Sequence, residues 1–217
     1  MEIISHRGYW LELHERNQPL AFHRSFESGF GTETDVRDCA GRLIISHDMP
    51  TGNEMTLDDL LDIMGGRNLP LAINIKADGL ANAIAAKFAE RGHTNWFVFD
   101  MAVPDMRSYL AEGVKTYTRY SNLEPSPAWL EECVGVLVDN FEPGYHSNHE
   151  IMQFVNQGKK VCVISPELHN REVTPFWDSL YQLKSLSGLM LCTDLPKQAC
   201  TFFSDKSEKD TLEEFIK

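Results

Sequence analysis

The sequence has no long hydrophobic segment. No run of about 18 apolar residues, the length that a membrane-spanning helix needs, occurs among its 217 residues. Glu2 and the short strand-like run Ile3 to Ser5 stand where a signal peptide would carry its positive charge and apolar core. We therefore expect a soluble, unexported protein that works in the cytoplasm.

Cysteine and positive charge are also scarce. The five cysteines show no CxxC spacing, and an odd number cannot close a disulfide framework, so we expect reduced thiols. The 20 Lys and Arg residues against 32 Asp and Glu give a formal charge of −12. This charge opposes binding to nucleic acid or to an anionic membrane, and it favours a small molecule as the partner.

What the chain does contain is a regular alternation of strand and helix signals. Runs rich in β-branched and aromatic residues recur roughly every 20 to 40 residues. These runs cover 3–5, 31–36, 71–76, 96–100, 115–118, 135–139, 160–165 and 189–193. Helix signals lie between most of them, at 20–28, 57–64, 80–91 and 104–112.

Eight strands that alternate with helices predict a (β/α)8 TIM barrel rather than an open doubly wound sheet. A turn at Cys39-Ala40-Gly41, flanked by 36–38 and 42–45, predicts a short hairpin inserted between barrel strands 2 and 3. We assign the barrel to 1–203 and a charged C-terminal helix or tail to 204–217.

Polar residues close most of the predicted strands, and in a barrel of this kind such residues meet at the active-site mouth. Because side chains alternate along a strand, Glu33 and Asp35 share one face, as do Asn74 and Lys76. Two carboxylates on one face indicate a cation, and their oxygen atoms suit Mg²⁺ or Ca²⁺. The alternative is a solvated edge of alternating charge.

The order of these residues resembles the glycerophosphodiester phosphodiesterase family. The shared motifs are His6-Arg7-Gly8, Asn17 before Phe22, Glu33-x-Asp35, His47-Asp48 after a turn, Lys76, and Thr193-Asp194-x-Pro196. The resemblance covers the first 80 residues well and the last strand moderately. From Trp96 to Leu168 the chain matches in little beyond its rhythm of strands and helices.

The resemblance implies a barrel enzyme that hydrolyses a small glycerol-type phosphodiester to a phosphomonoester and an alcohol. Two histidines would perform the acid/base chemistry, since imidazole titrates closest to neutral pH. We expect His6 as the base and His47 as the acid, an assignment that the sequence leaves interchangeable. A divalent cation, Mg²⁺ or Ca²⁺ with Mn²⁺ as an alternative, would be held by Glu33, Asp35 and Asn74.

Three further residues are expected to contact the substrate. Arg7 and Lys76 would complement the charge of the diester, and Asn17 would contribute an amide. The alternatives are a salt bridge at the barrel mouth for Arg7 and a helix cap for Asn17. His169, just beyond the seventh strand, is expected to lie outside the site.

The chain departs from the family at Asn74, at Arg16 and in the strand near the C-terminus, which reads Val163 to Glu167. Asn74 stands where the family usually has a glutamate that binds the metal, so cation binding should be weaker unless Asp100, Asp139 or Glu167 compensates. Arg16 replaces a usual glutamate, which points to altered substrate contacts. Two other functions therefore stay open: cleavage that stops at a cyclic phosphate, and a barrel that binds phosphorylated ligands without turnover.

Overall fold

Eight parallel strands form a nearly closed barrel with helices on its outside, which confirms the predicted (β/α)8 fold. The computed structural model describes residues 1–144 and 146–204. Its strands are β1 (Glu2–His6), β2 (Gly31–Cys39), β3 (Arg42–Ile45), β4 (Leu71–Ile75), β5 (Trp96–Phe99), β6 (Tyr117–Tyr120), β7 (Gly135–Val138), β8 (Lys160–Ile164) and β9 (Leu189–Thr193). The eight barrel strands are ordered β5-β4-β2-β1-β9-β8-β7-β6, and β3 lies off this path and pairs with β2. A bridge between Val98 and Thr116 joins β5 to the residue just before β6, which brings the two ends of the sheet together.

The helices pack between successive strands. They are α1 (Pro19–Glu27), α2 (Leu57–Met64), α3 (Ala81–Arg91), α4 (Val103–Ala111), α5 (Asn148–Asn156) and α6 (Thr174–Leu180), with a 3-10 helix at Pro166–His169. Local sequence sets their ends: Thr56 and Asp59 form a capping box at the start of α2, which ends at Gly65 in the left-handed conformation. The predicted helix at 57–64 is thereby confirmed.

The predicted hairpin is present. β3 runs antiparallel to β2, with Cys39 opposite Arg42, and Ala40 and Gly41 make the turn at positive φ. The chain then returns toward the barrel mouth, where the backbone N–H of Ser46 donates to the carbonyl of Asp35 at 3.0 Å. This return places His47 beside the middle of β2, at the barrel mouth.

Alternation along the strands divides the barrel interior into an apolar floor and a polar mouth. The buried floor comprises Ile4, Ala72, Phe97, Phe99, Tyr117, Leu137, Cys162, Met190 and Cys192. Two positions after Ile4, Ala72 and Leu137, the same faces carry His6, Asn74 and Asp139. Polar groups at the carboxyl ends therefore rest on a closed hydrophobic layer.

Strand boundaries differ from the predictions by no more than three residues, and the difference matters most at β6. That strand was predicted at 115–118 but covers Tyr117–Tyr120, so Arg119 belongs to the barrel wall. In the described residues no helix is long and apolar enough to cross a membrane. The predicted tail lies outside the described residues except for Ser204, which ends a helical stretch over 196–204.

Candidate active site

His6, at the end of β1, is held between two carboxylates. Its Nδ1 lies 2.7 Å from Asp194 Oδ1, and its Nε2 lies 3.8 Å from Glu33 Oε2. An ionised carboxylate only accepts hydrogen bonds, so Nδ1 carries the proton and Nε2 holds the free electron pair of the neutral ring. The ring is thus oriented with its basic nitrogen toward Glu33.

Asp194 is itself fixed from several sides. Arg16 Nη2 lies 3.2 Å from its Oδ2, and the Trp10 indole N–H donates to its Oδ1 at 3.3 Å. Glu167 accepts the backbone N–H of Asp194 at 3.0 Å and also the hydroxyl of Thr193. Arg16, which departs from the family pattern, therefore forms an ion pair with Asp194, the residue that holds His6.

The turn after β1 aims Arg7 into the mouth. Arg7 and Gly8 both have positive φ, at 56° and 84°. A Cβ on Gly8 would lie 2.7 Å from Ala21 Cβ, so only glycine fits where the turn meets α1. The turn brings Arg7 Nε to 2.9 Å from Asp35 Oδ2, which is the salt bridge expected as the alternative role of this arginine.

Asp35 is fully buried and compensated by neighbouring positive charge and by an amide. Besides Arg7, Lys76 Nζ lies 3.3 Å from its Oδ1, and the Asn17 amide donates to its Oδ2 at 2.9 Å. The Asn17 carbonyl in turn accepts the hydroxyl of Thr34 at 2.9 Å. Asn17 is not a cap of α1, whose N-cap is Gln18, and a direct contact of Asn17 with substrate stays a prediction.

Glu33 is a buried carboxyl whose pKa is strongly shifted. Burial and, to a smaller extent, the neighbouring Asp35 carboxylate raise the pKa of Glu33 to about 7 against the opposing effects of His6, Arg7 and Lys76. Near neutral pH this carboxyl is therefore poised between its two protonation states. A cation bound here would favour the charged form.

Asn74 is the third residue predicted to offer an oxygen to a cation. It lies on β4 beside Asp35 in the ladder, is only 8% exposed, and its Oδ1 has no hydrogen-bond partner among the described residues. No cluster of three or more His, Cys, Asp or Glu able to hold a metal occurs in the described chain. The donors on offer are two carboxylates and one neutral carbonyl, a set of hard oxygens that fits Mg²⁺ or Ca²⁺.

His47 stands at the rim of the same cavity and is more exposed than His6. Its side chain is 46% exposed, and its Nδ1 lies 2.9 Å from Asp48 Oδ1. The structure therefore brings both predicted histidines to one cavity, His6 in its wall and His47 at its edge.

Four further polar residues of the barrel mouth were not among the predicted catalytic, substrate-binding or metal-binding residues, although Asp100 and Asp139 were considered as compensating metal ligands. His169 Nε2 lies 2.7 Å from Asp139 Oδ1, and Arg119 Nη1 lies 3.0 Å from Asp100 Oδ1. The expectation that His169 lies outside the site was wrong, because the 3-10 helix after β8 turns it back over the barrel. The only sequence signal for these residues was that Asp100 and Asp139 stand at the ends of predicted strands, where side chains point into the barrel mouth.

These residues enclose a cavity of about 280 Å³. Its lining includes His6, Arg7, Arg16, Glu33, Asn74, Asp100, Asp139 and His169, above Leu137 and Cys192 of the apolar floor. This volume lies near the lower end of the ~300–1,000 Å³ typical of ligand pockets, so the cavity suits a small polar molecule.

The sequence itself matches no protein-family model and no curated protein. Solved structures do match in fold. A glycerophosphodiester phosphodiesterase from Agrobacterium tumefaciens aligns with a TM-score of 0.70 at 16% identity, over 94% of this chain and 99% of that one. A phosphodiesterase from Oleispira antarctica, solved with the product sn-glycerol-3-phosphate, aligns with a TM-score of 0.63 at 16% identity, over 93% and 96%.

The same barrel also serves other chemistry. A chain of the tryptophan synthase complex from Pyrococcus furiosus aligns with a TM-score of 0.53 at 15% identity, over 95% of each chain. The fold of this chain is therefore that of the glycerophosphodiester phosphodiesterases and of further barrel enzymes, and its function has to be argued from the side chains at the mouth.

Proposed function

We propose that the chain is a phosphodiesterase of the glycerophosphodiester phosphodiesterase type, which hydrolyses a small glycerol-type phosphodiester with the help of a divalent cation. The observation that carries this proposal is the setting of His6. Its proton is fixed by Asp194, and its basic nitrogen faces the cavity region that holds Glu33 and the cations around Asp35. A barrel that only binds a phosphorylated ligand needs no such oriented base.

In the proposed reaction the phosphate lies beside Arg7 and Lys76, which offset its negative charge. His6 Nε2 accepts the proton of a water molecule as the water oxygen forms its bond to phosphorus. The phosphorus–oxygen bond to the alcohol breaks, and His47 delivers a proton to the departing alkoxide. The products are one phosphomonoester and one alcohol.

Glu33, Asp35 and Asn74 would hold the cation, Mg²⁺, Ca²⁺ or Mn²⁺. When bound, it stabilises negative charge on the phosphoryl oxygens in the transition state. Asp35 would then exchange part of its contact with Arg7 and Lys76 for the cation, which frees both side chains for the phosphate. The partner is a small diester and not a nucleic acid, in keeping with the net charge of −12.

The proposal is tested with a panel of glycerophosphodiesters and aryl phosphodiesters, each with Mg²⁺, Ca²⁺, Mn²⁺ or a chelator. His6→Ala should abolish most of the activity, whereas His23→Ala, at an exposed position of α1, should not change it. Phosphorus NMR of the products distinguishes a monoester from a cyclic phosphate. Absence of turnover with every diester and cation would support a binding protein and overturn the proposal.

A further inference from the structure

The wall that faces the carboxylate pair carries a second histidine–carboxylate pair, formed by Asp139 and His169. In the strand order, β7 is four strands from β2 in either direction, so Asp139 stands across the barrel from Glu33. Both members of the second pair line the cavity that contains His6 and Asn74. The proposed hydrolysis assigns them no task.

The contacts of this pair fix the orientation of the His169 ring. Asp139 is 8% exposed, and its Oδ1 accepts the backbone N–H of Asn140 and the Nε2–H of His169, both at 2.7 Å. Because Nε2 donates to the carboxylate, Nδ1 of the neutral ring is a hydrogen-bond acceptor. Phe141 packs edge-on against the ring at a centroid distance of 5.3 Å, which further restricts its rotation.

The two walls of the cavity differ in charge. Arg7 and Lys76 stand on the side of β2 and β4, where an anionic phosphate is stabilised. Asp100 follows β5, the neighbour of β4, and is paired with Arg119 at 3.0 Å, whereas Asp139 on the far side has only the histidine as its side-chain partner among the ion pairs of the described residues. The far wall therefore offers acceptors and negative charge, which repel a second phosphate and attract hydrogen-bond donors.

We propose that His169, held in place by Asp139, binds a hydrogen-bond donor group, a hydroxyl or an ammonium, on an alcohol of the substrate diester. This assignment rests on the proposed function and adds to it the residue that recognises the alcohol. His169 contacts the alcohol, and Asp139 is a positioning residue. The small cavity places phosphate and alcohol recognition on opposite walls of one site.

The test compares three p-nitrophenyl phosphodiesters whose second alcohol is glycerol, ethanolamine or propanol, the last without a donor group. The His169→Phe variant keeps an aromatic ring beside Phe141 but removes the acceptor. It should lower kcat/KM for the glyceryl and aminoethyl diesters by about ten- to a hundredfold, the scale of a hydrogen bond to a charged or charge-supported group, and leave the propyl diester unchanged.

His146→Phe is the matched control. His146 also contacts Asp139, through the backbone carbonyl at 2.9 Å, yet it does not line the cavity. It should lower all three rates equally or not at all. Asp139→Asn, which keeps the shape of the side chain, should raise KM for the two donor-bearing diesters by several-fold while kcat changes little, because the ring is then less firmly held.

Equal losses on all three diesters in His169→Phe would place His169 in the chemistry and overturn the proposal, as would unchanged rates. If the wild-type protein hydrolysed none of them, the proposed function would fail while this inference would still be tested by calorimetry. Tighter binding of sn-glycerol 3-phosphate than of propyl phosphate, lost in His169→Phe or in Asp139→Asn, would support the pair. Equal affinities in the wild type would overturn it.

Discussion

Replacing Glu33 by glutamine should make the cation-free protein more stable at alkaline pH. Burial raises the pKa of Glu33 from 4.5 to about 7, so between these values the folded state binds a proton that the unfolded state has released. By linkage, the free energy of unfolding then falls as pH rises. The stabilisation is complete below the unfolded pKa and is lost as pH passes the folded pKa.

The size of the effect follows from the pKa. At 1.36 kcal/mol for each tenfold change in proton affinity, a rise from 4.5 to about 7 corresponds to a loss of about 3 kcal/mol by pH 8. Typical domains have only about 5 to 15 kcal/mol in total, so the change is measurable. Glutamine cannot ionise, and Glu33→Gln should therefore remove this pH dependence.

The assay is urea unfolding in a chelating buffer at about pH 5 and about pH 8. The wild type should lose stability relative to Glu33→Gln between these two values, whereas Glu132→Gln, at an exposed site, should follow the wild type. Added Mg²⁺ or Ca²⁺ at the higher pH should stabilise the wild type and not Glu33→Gln. If the two proteins differed by the same free energy at both pH values, the buried, perturbed carboxyl would be refuted.

His6→Ala and His47→Ala should each lower turnover by about a hundredfold or more without loss of folding, and wild-type rates on the true substrate would remove that histidine from the mechanism. Asp194→Asn should lower kcat more than it changes KM, because His6 loses the carboxylate that fixes its proton. Asp35→Asn should abolish cation-dependent activity, with partial rescue by excess cation; unchanged affinity in calorimetry would contradict this. Asn74→Glu should tighten cation binding in the same titration, and unchanged or weaker binding would show that Asn74 does not face the cation.

The fold was predictable because its signals are local. Each strand is a short run of β-branched or aromatic residues. Helices such as α2 begin and end at capping residues that can be recognised in the sequence. The error at β6 arose where the run was weak: the prediction started at Lys115 and Thr116, but the regular ladder with β7 begins at Tyr117. The tail beyond Ser204 stays a prediction.

The residues on one wall of the site could be predicted from the sequence more fully than those on the other. His6, Glu33 and Asn74 lie on three strands that neighbour one another in the sheet, so their proximity follows from the order of the motifs. The contact of His6 with Asp194 joins positions 188 residues apart, and it depends on closure of the barrel between β1 and β9. His169 was misplaced for the same kind of reason, since a loop conformation returns it to the mouth.

The charges around Asp35 predict that the proposed cation binds weakly and exchanges readily. Glu33 and Asp35 face Arg7 and Lys76, so positive side chains already offset the carboxylates before any ligand binds. A glutamate at position 74 would add a third negative charge that only a cation could balance, whereas Asn74 adds an oxygen without charge. We infer that a cation at the proposed site would contribute less to holding the mouth together and more to binding the phosphate of the proposed substrate. Binding should then be weak in the resting protein and should strengthen when an anionic diester is present, which calorimetric titration of Mg²⁺ with and without sn-glycerol 3-phosphate measures directly.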